Sequence, residues 1–512
     1  MSQPPPIRCN LTTRIRVAFG LLFGLRSHDL SAAITFMNMM FPGRSLPVRL
    51  AKLLAWALSQ SFGAIPEALT TARFAKEVSR TPIWLAAGNP LANHPWENDA
   101  NAALPDQVEV ITIGAGFTGG GCAYHWSKTD GGPMAVLEMD DAASGASGRN
   151  EGLVVMGRYY AMVKGTVRPY LDQVRADLTA QQRDQLAGQF AAIYAQSAYK
   201  NADLVEATVD KEGYQCDYAR NGWIQAGSAE GLAALEEAVR LGEEAGFDDW
   251  TNLEPDQVWE KGGMRVDHSA GFSRAAAAFH PAKWVWSLFN TAIAQPNVEL
   301  YSRTKVLRIE DQGEHYLVHT NRGTIKARYI INATESYTGA LHRHYRALIY
   351  PVQTQACFGP GGSPSMKANI GLSGKGGFFG RHGTGVMAGS DATRVPHERA
   401  GSNNPSRFIS KFLLGELHRY FDRTPIEITH EWSGTPGFTA DEYPVVGLLD
   451  GKRQYIIGGM CGSGSAVSFN GARHIVQQIL GLDGPDDYPE QYFGVSRLLD
   501  PTNHHWPVLK KD

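Results

Sequence analysis

Val108-Glu109-Val110-Ile111-Thr112-Ile113-Gly114-Ala115-Gly116-Phe117-Thr118-Gly119, followed after a short helical stretch by Met134-Ala135-Val136-Leu137-Glu138, is the part of the chain on which the fold turns. Val108, Val110, Ile111 and Ile113 read as a buried strand. The glycine turn opens onto a helix-like run to Trp126, and Asp130-Gly131-Gly132-Pro133 leads into a second apolar strand ending at Glu138. Gly114 permits the tight turn, Gly116 lets the backbone approach a pyrophosphate, and Gly119 lets helix and strand pack closely. The helix N-terminus brings N–H groups and partial positive charge to the phosphates. Glu138 can accept hydrogen bonds from ribose hydroxyls and would repel a 2′-phosphate, which disfavours NADP. GxGxxG alone is an ordinary turn; strand, helix, second strand and acid in register make it a dinucleotide site. Gly120 and Gly121 each weaken the helix by roughly 1 kcal/mol relative to Ala.

Directly past Glu138 comes Ala143-Ser144-Gly145-Ala146-Ser147-Gly148-Arg149-Asn150-Glu151-Gly152, rich in small residues, hydroxyls and backbone donors. A flexible surface loop is one reading. Its position argues for a second pass under the cofactor, with Arg149 neutralising phosphate or a flavin anion. Farther out, Val298–Tyr301, Lys305–Ile309, His315–Thr320 and Thr324–Ile331 read as strands. Helices are expected near Gly188–Val209, Glu230–Ala245 and from Ala466 to Leu480. Gly359–Gly389 reads as a mobile glycine-rich stretch. The expected class is α/β, a Rossmann-type dinucleotide-binding domain with an interleaved α+β substrate domain and a helical N-terminal extension. The expected units are the extension 1–80, an extended lead-in 81–106, the dinucleotide-binding domain 107–158 with 279–345 and 433–483, the substrate domain 159–278 with 346–432, and a tail 484–512.

Charge is uneven along the 512 residues. Residues 1–80 carry ten Arg/Lys against three acids, a balance of +7, whereas the whole chain is at −3. That section reads as helical, with Val48–Leu58 amphipathic. Three readings stand side by side: a helical arm packed on the body or a neighbour, an interfacial membrane helix, and an Arg-rich organelle transit segment. No apolar run reaches the roughly 18–20 residues needed to span a bilayer. The five cysteines form no CxxC pair, so neither a zinc site nor a disulfide framework is signalled and a reducing, cytoplasmic setting is the default. No metal and no nucleic-acid partner are expected.

The chain resembles the FAD-dependent D-amino-acid-oxidase-like superfamily, in the branch of glycine/sarcosine oxidases and gamma-glutamylputrescine oxidoreductases. The resemblance is carried by Thr81-Pro82-Ile83-Trp84-Leu85, Gly114–Gly119, Ser144–Gly152, Phe279-His280-Pro281, Lys305-Val306-Leu307 and Ile331-Asn332-Ala333-Thr334. Trp432-Ser433-Gly434 through Asp441–Gly447 to Gly458–Gly464 completes it. It covers roughly residues 81–482. The resemblance implies that Gly114, Gly116, Gly119 and Glu138 hold the ADP half of FAD. Ser144, Ser147, Gly148, Arg149 and Asn150 would run beside the pyrophosphate and isoalloxazine. Val306 would offer backbone groups to the adenine, and Gly462 and Gly464 would open the last helix under the flavin pyrimidine. Glu151 departs from the family's Gly-Gly: it either favours a cationic substrate or is solvated or paired. Gly434 sits near the family's flavin-linking cysteine, which puts that link in doubt; Cys357, Cys461 and histidine remain as alternatives.

The implied reaction is oxidation of a C–N bond in an amine or amino acid by hydride transfer to flavin N5, followed by imine hydrolysis, with O2 or a quinone as acceptor. His280 lies at a family position close to the flavin or is structural. Trp432 and Tyr443 form an aromatic wall or pack the core. Arg381 and His382 could meet a substrate carboxylate. Rival classes are a non-catalytic FAD-binding assembly factor, which predicts bound FAD without a reducible substrate, and a hydroxylase using NAD(P)H.

Overall fold

Strand Gln107–Ile113 lies between two parallel neighbours, Met134–Leu137 and Gly323–Asn332, in an eight-stranded sheet. This computed structural model describes residues 10–24, 44–62, 72–99, 101–155, 160–227, 232–374, 377–422, 425–482 and 484–507. Flanked on both edges and covered on both faces, the strand needs an almost continuous apolar run, and Val110 and Ile111 are fully buried. Val298–Tyr301 extends the sheet on one side. On the other, Val306–Asp311 and Tyr316–Thr320 form an antiparallel hairpin on Gly323–Asn332, and Gln454–Gly458 pairs parallel with the end of that strand.

Helix Phe117–Ser127 packs against Pro281–Ile293 and Gly464–Leu480. The glycines that weaken it are the points of closest approach. A Cβ on Gly121 would stand 2.9 Å from the Ala472 methyl, and one on Gly120 would meet Leu288 and Phe289. The helix thus gives up intrinsic propensity for tight interhelical packing. Helix Ala180–Glu212 starts at a Thr179–Gln182 capping box, ends at Gly213 with φ 67°, and also packs on Gly464–Leu480. It is longer than the expected 188–209 at both ends.

The second sheet runs Ala72–Ser79, Ile426–Gly434, Tyr350–Pro360, Gly385–Arg394, Gly377–His382, Gly371–Gly374, Trp223–Ala226, Ala270–Ser273, Trp250–Leu253. Helix Arg407–Tyr420 covers its outer face: Leu413, Leu414 and Leu417 pack with Cys357, Phe379 and Val386. On the inner face Ala356, Met387 and Trp432 join the main core, with Phe358 and Phe378 against it.

Three expectations are corrected. Residues 72–79 are not helical; they form an edge strand parallel to Ile426–Gly434. Phe74 and Val78, four apart, suit a helix face as well as a strand face, and docking on the outer-face core decides. The stretch 359–389 is not a loose loop, since most of its described residues lie in strands. Its glycines make room for rings: a Cβ at Gly385 or Gly389 would fall 2.2 and 2.4 Å from the Phe358 and Phe378 rings. The section from residue 484 is an anchored element, with Tyr488, Phe493 and Trp506 buried. Arg497, fully buried, donates to Asp441 from Nε (2.8 Å) and Nη2 (3.2 Å), and to the Tyr443 and Pro444 carbonyls.

Candidate active site

The glycine turn has no space for side chains. Gly114 sits at φ +108°, where a Cβ would lie 2.5 Å from the Ala333 carbonyl oxygen; at Gly119 it would lie 1.9 Å from the Gly114 carbonyl oxygen. At Gly116 it would fall 2.7 Å from Ser147 Oγ, and that hydroxyl accepts the Phe117 N–H at 2.8 Å. Ser147 therefore sits at the helix N-terminus, in the second-pass loop predicted to run beside the cofactor. The Ala143 N–H donates to the Ala115 carbonyl, joining loop and turn.

Glu138 ends its strand with both oxygens engaged: Ala115 N–H donates to one at 2.8 Å and Asp140 N–H to the other at 2.9 Å. Burial pushes its pKa up, and the two N–H donors oppose that. The Glu138 carbonyl accepts from Thr304 N–H, two residues before Val306, so the adenine-side backbone lies beside the acid. Gly464 begins helix Gly464–Leu480, and a Cβ there would stand 3.9 Å from the ring of Phe117, the first residue of the other helix, so two helix N-termini converge on one region. At Gly462, φ is +85° and the space a side chain would fill is open.

One residue at this junction escaped the sequence reading. Glu335, immediately after the Asn332-Ala333-Thr334 motif, accepts N–H groups from Gly437 and Gly459, both at 2.7 Å, and from Met460. It fixes the turn that launches the last helix, and burial pushes its carboxyl up to about 7.

Loop 144–152 is held from below and from the side. Trp84 Nε1 donates to the Asn150 carbonyl at 2.7 Å, and Leu85 packs beneath Gly148. Asn150 spends its amide on its own loop, donating to the Ser147 carbonyl and accepting from Gly152 N–H. Arg149 donates to the Ser144 and Ser433 carbonyls, stapling the loop to the second sheet, and Trp432 Nε1 donates to the Arg149 carbonyl at 3.0 Å.

Beside this loop Trp84 stands between two imidazoles, edge-on to His280 (centroids 5.0 Å) and to His382 (4.5 Å). Burial lowers both histidines to about 4, keeping them neutral. His280 Nδ1 accepts the Lys283 N–H as it caps helix Pro281–Ile293, which puts the proton on Nε2. His382 Nε2 is buried and has no hydrogen-bond partner among the described residues. Glu151 lies in the same loop segment. Burial alone pushes its carboxyl up to about 7, and no described residue forms an ion pair or hydrogen bond with it.

The expected site residues do not all meet. His280 and Trp432 touch the loop or its Trp84 support. Arg381 does not: strand neighbours point to opposite faces, and while His382 meets Trp84, Arg381 turns to the Ser363 carbonyl at 3.0 Å. Beside Trp84 its place is taken by its neighbour. Tyr443 packs edge-on between Phe190 and Tyr194 in the core. Cys357 lies in the outer-face core and Cys461 Sγ donates to the Gly459 carbonyl; burial pushes both thiols up to about 12. Neither is a reactive thiolate poised to link a flavin.

A family model described as DAO, FAD dependent oxidoreductase, matches residues 109–478. The chain belongs to this family. Its cofactor is therefore FAD, and the glycine cradle, Glu138 and the paired helix N-termini are residues that fit it. This DAO-family oxidoreductase is 24% identical over 359 residues to the probable oxidoreductase OrdL of Rhizobium meliloti (strain 1021), covering 66% of this chain and 75% of that one. Among solved structures, L-proline dehydrogenase from P. horikoshii superposes with a TM-score of 0.61 at 15% identity, over 77% of this chain and 98% of that one. Glycine oxidase from Geobacillus kaustophilus gives 0.59 at 16%, over 79% and 100%. These likenesses establish the fold.

Proposed function

We propose that this DAO-family enzyme oxidises the C–N bond of a cationic primary or secondary amine or amino acid. The observation that carries the reading is Glu151, a desolvated carboxylate in the loop that Trp84 supports, with no positive partner among the described residues. A substrate ammonium supplies the missing charge. The similarly folded L-proline dehydrogenase, glycine oxidase and iminodiacetate oxidase are each named for a nitrogen-bearing compound, which supports the same class.

When bound, FAD supplies the acceptor for the hydride leaving the carbon next to nitrogen. Glu151 holds the ammonium and takes its proton, giving the free amine whose lone pair expels the hydride. His382 and His280, neutral across the working range, orient the substrate without repelling its charge. Trp84 and Trp432 exclude water from the reacting carbon. The imine then hydrolyses to a carbonyl compound and the amine or ammonia. O2 or a quinone takes the electrons onward; peroxide release marks the first and its absence with quinone turnover the second.

The deciding experiment is anaerobic bleaching of the yellow holoenzyme against a panel of amines, amino acids and hydroxy acids. Bleaching by amines is expected. Bleaching by hydroxy acids alone would overturn the assignment, and the similar fold of an L-α-glycerophosphate oxidase makes that arm a real control.

The pH dependence follows from the raised carboxyl. Below about 7 Glu151 is protonated and neutral; above it the carboxylate can hold the cation. For a bleaching amine, kcat/KM should therefore rise with pH through about 7. In Glu151→Gln that limb should vanish and kcat/KM at pH 8 should drop about 100-fold, within the ~2–5 kcal/mol that loss of a buried charge partner costs. A profile identical to the parent's would remove Glu151 from the reaction.

A further inference from the structure

Helices Leu11–Gly24 and Leu46–Phe62 pack chiefly against each other. Each also turns an apolar stripe to solvent. Leu11, Ile15 and Phe19, spaced by four, are 66%, 41% and 55% exposed; Leu46, Leu50, Leu54 and Leu58, again by four, are 46–58% exposed. A soluble surface rarely leaves two such apolar stripes open. The only charged residues of these helices are basic, Arg14 and Arg16 on the first and Arg49 and Lys52 on the second, with Arg44 just before the second. Neither is long and apolar enough to cross a membrane.

An exposed apolar stripe on a helix whose only charges are cations is the pattern of a helix that lies in the plane of a lipid headgroup layer. A protein partner matched to it would need acidic groups around an apolar groove. An anionic bilayer offers both everywhere on its surface, with the negative potential drawing the arginines to the headgroups as the leucines enter the acyl boundary. The two helices precede the edge strand Ala72–Ser79, which ties them to the catalytic body through backbone pairing with Ile426–Gly434. We propose that this helix pair docks the enzyme on an anionic membrane surface.

The test uses full-length holoenzyme and flotation with vesicles of phosphatidylcholine alone or containing about 30% phosphatidylglycerol. Flotation with the anionic vesicles is expected, weakened by high salt. In Leu50→Glu/Leu54→Glu/Leu58→Glu the bound fraction should fall about ten-fold or more, with FAD content and amine turnover unchanged. Leu482→Glu, which changes an exposed leucine elsewhere, should float as the parent does. Failure of the parent to float, or equal flotation of the triple variant, overturns the proposal. Equal, salt-insensitive binding to phosphatidylcholine alone overturns the anionic assignment. A dimer in vesicle-free buffer that the triple variant splits, without flotation, assigns the face to a second copy instead.

Discussion

Gly119→Ala should purify folded but nearly colourless. The added methyl would stand 1.9 Å from the Gly114 carbonyl oxygen and 2.9 Å from its carbon, both backbone atoms that cannot rotate away. Relief requires helix Phe117–Ser127 to move off the strand, which withdraws its N-terminal N–H groups from the phosphates and separates Phe117 from Ser147 Oγ. Several charge-assisted hydrogen bonds weaken together, so the dissociation constant for FAD should rise about 100-fold or more, some 3 kcal/mol. Titration of FAD into apoprotein, followed by flavin fluorescence quenching, measures it. Gly145→Ala is the matched control: it lies in the same cofactor loop, where a Cβ meets nothing within 4 Å, and should retain FAD. Equal affinities for the two variants would mean that the turn does not carry the phosphates.

The second large effect concerns stability. Arg497→Met should lower the unfolding free energy by about 3–5 kcal/mol, the range for removing one partner of a buried ion pair. Asp441, 3% exposed, would keep the Thr439 hydroxyl and Tyr443 N–H but lose both guanidinium bonds, and the Tyr443 and Pro444 carbonyls would lose their donor. The double variant Arg497→Met/Asp441→Asn should recover much of the loss, because no uncompensated charge stays in the core. Urea unfolding monitored by tryptophan fluorescence gives both values. A single variant within 1 kcal/mol of the parent would show that this bond set is not what anchors the chain after residue 484.

How much of this was legible follows the range of the interactions. The cofactor turn is local: strand, glycines, helix and acid lie within 32 residues, Gln107 to Glu138, and each residue's role follows from its neighbours. The second sheet is not local. Whether Arg381 or His382 faces the site depends on strand register, and a one-residue difference exchanges the faces. Composition alone makes arginine the better carboxylate ligand, and only the pairing of Gly377–His382 with Gly385–Arg394 reveals which side chain looks inward. Trp84 was visible as part of a family motif, but its partner, the Asn150 carbonyl, is 66 positions away. Glu335 was hidden for the same reason: its donors come from Gly437, Gly459 and Met460, more than 100 positions downstream. Gly120 and Gly121 looked like defects because helix propensity is a local quantity, whereas the close packing they allow is tertiary.

The parallel alignment of Ala72–Ser79 with Ile426–Gly434 also constrains the order of assembly. The first of these segments leaves the ribosome about 350 residues ahead of the second, so it must wait unpaired through most of translation. An exposed strand held so long is a template for wrong pairing, and Arg73, Lys76 and Glu77 along it act as gatekeepers against that fate. Replacing those charges should therefore reduce soluble yield during synthesis far more than it changes the stability of the finished enzyme.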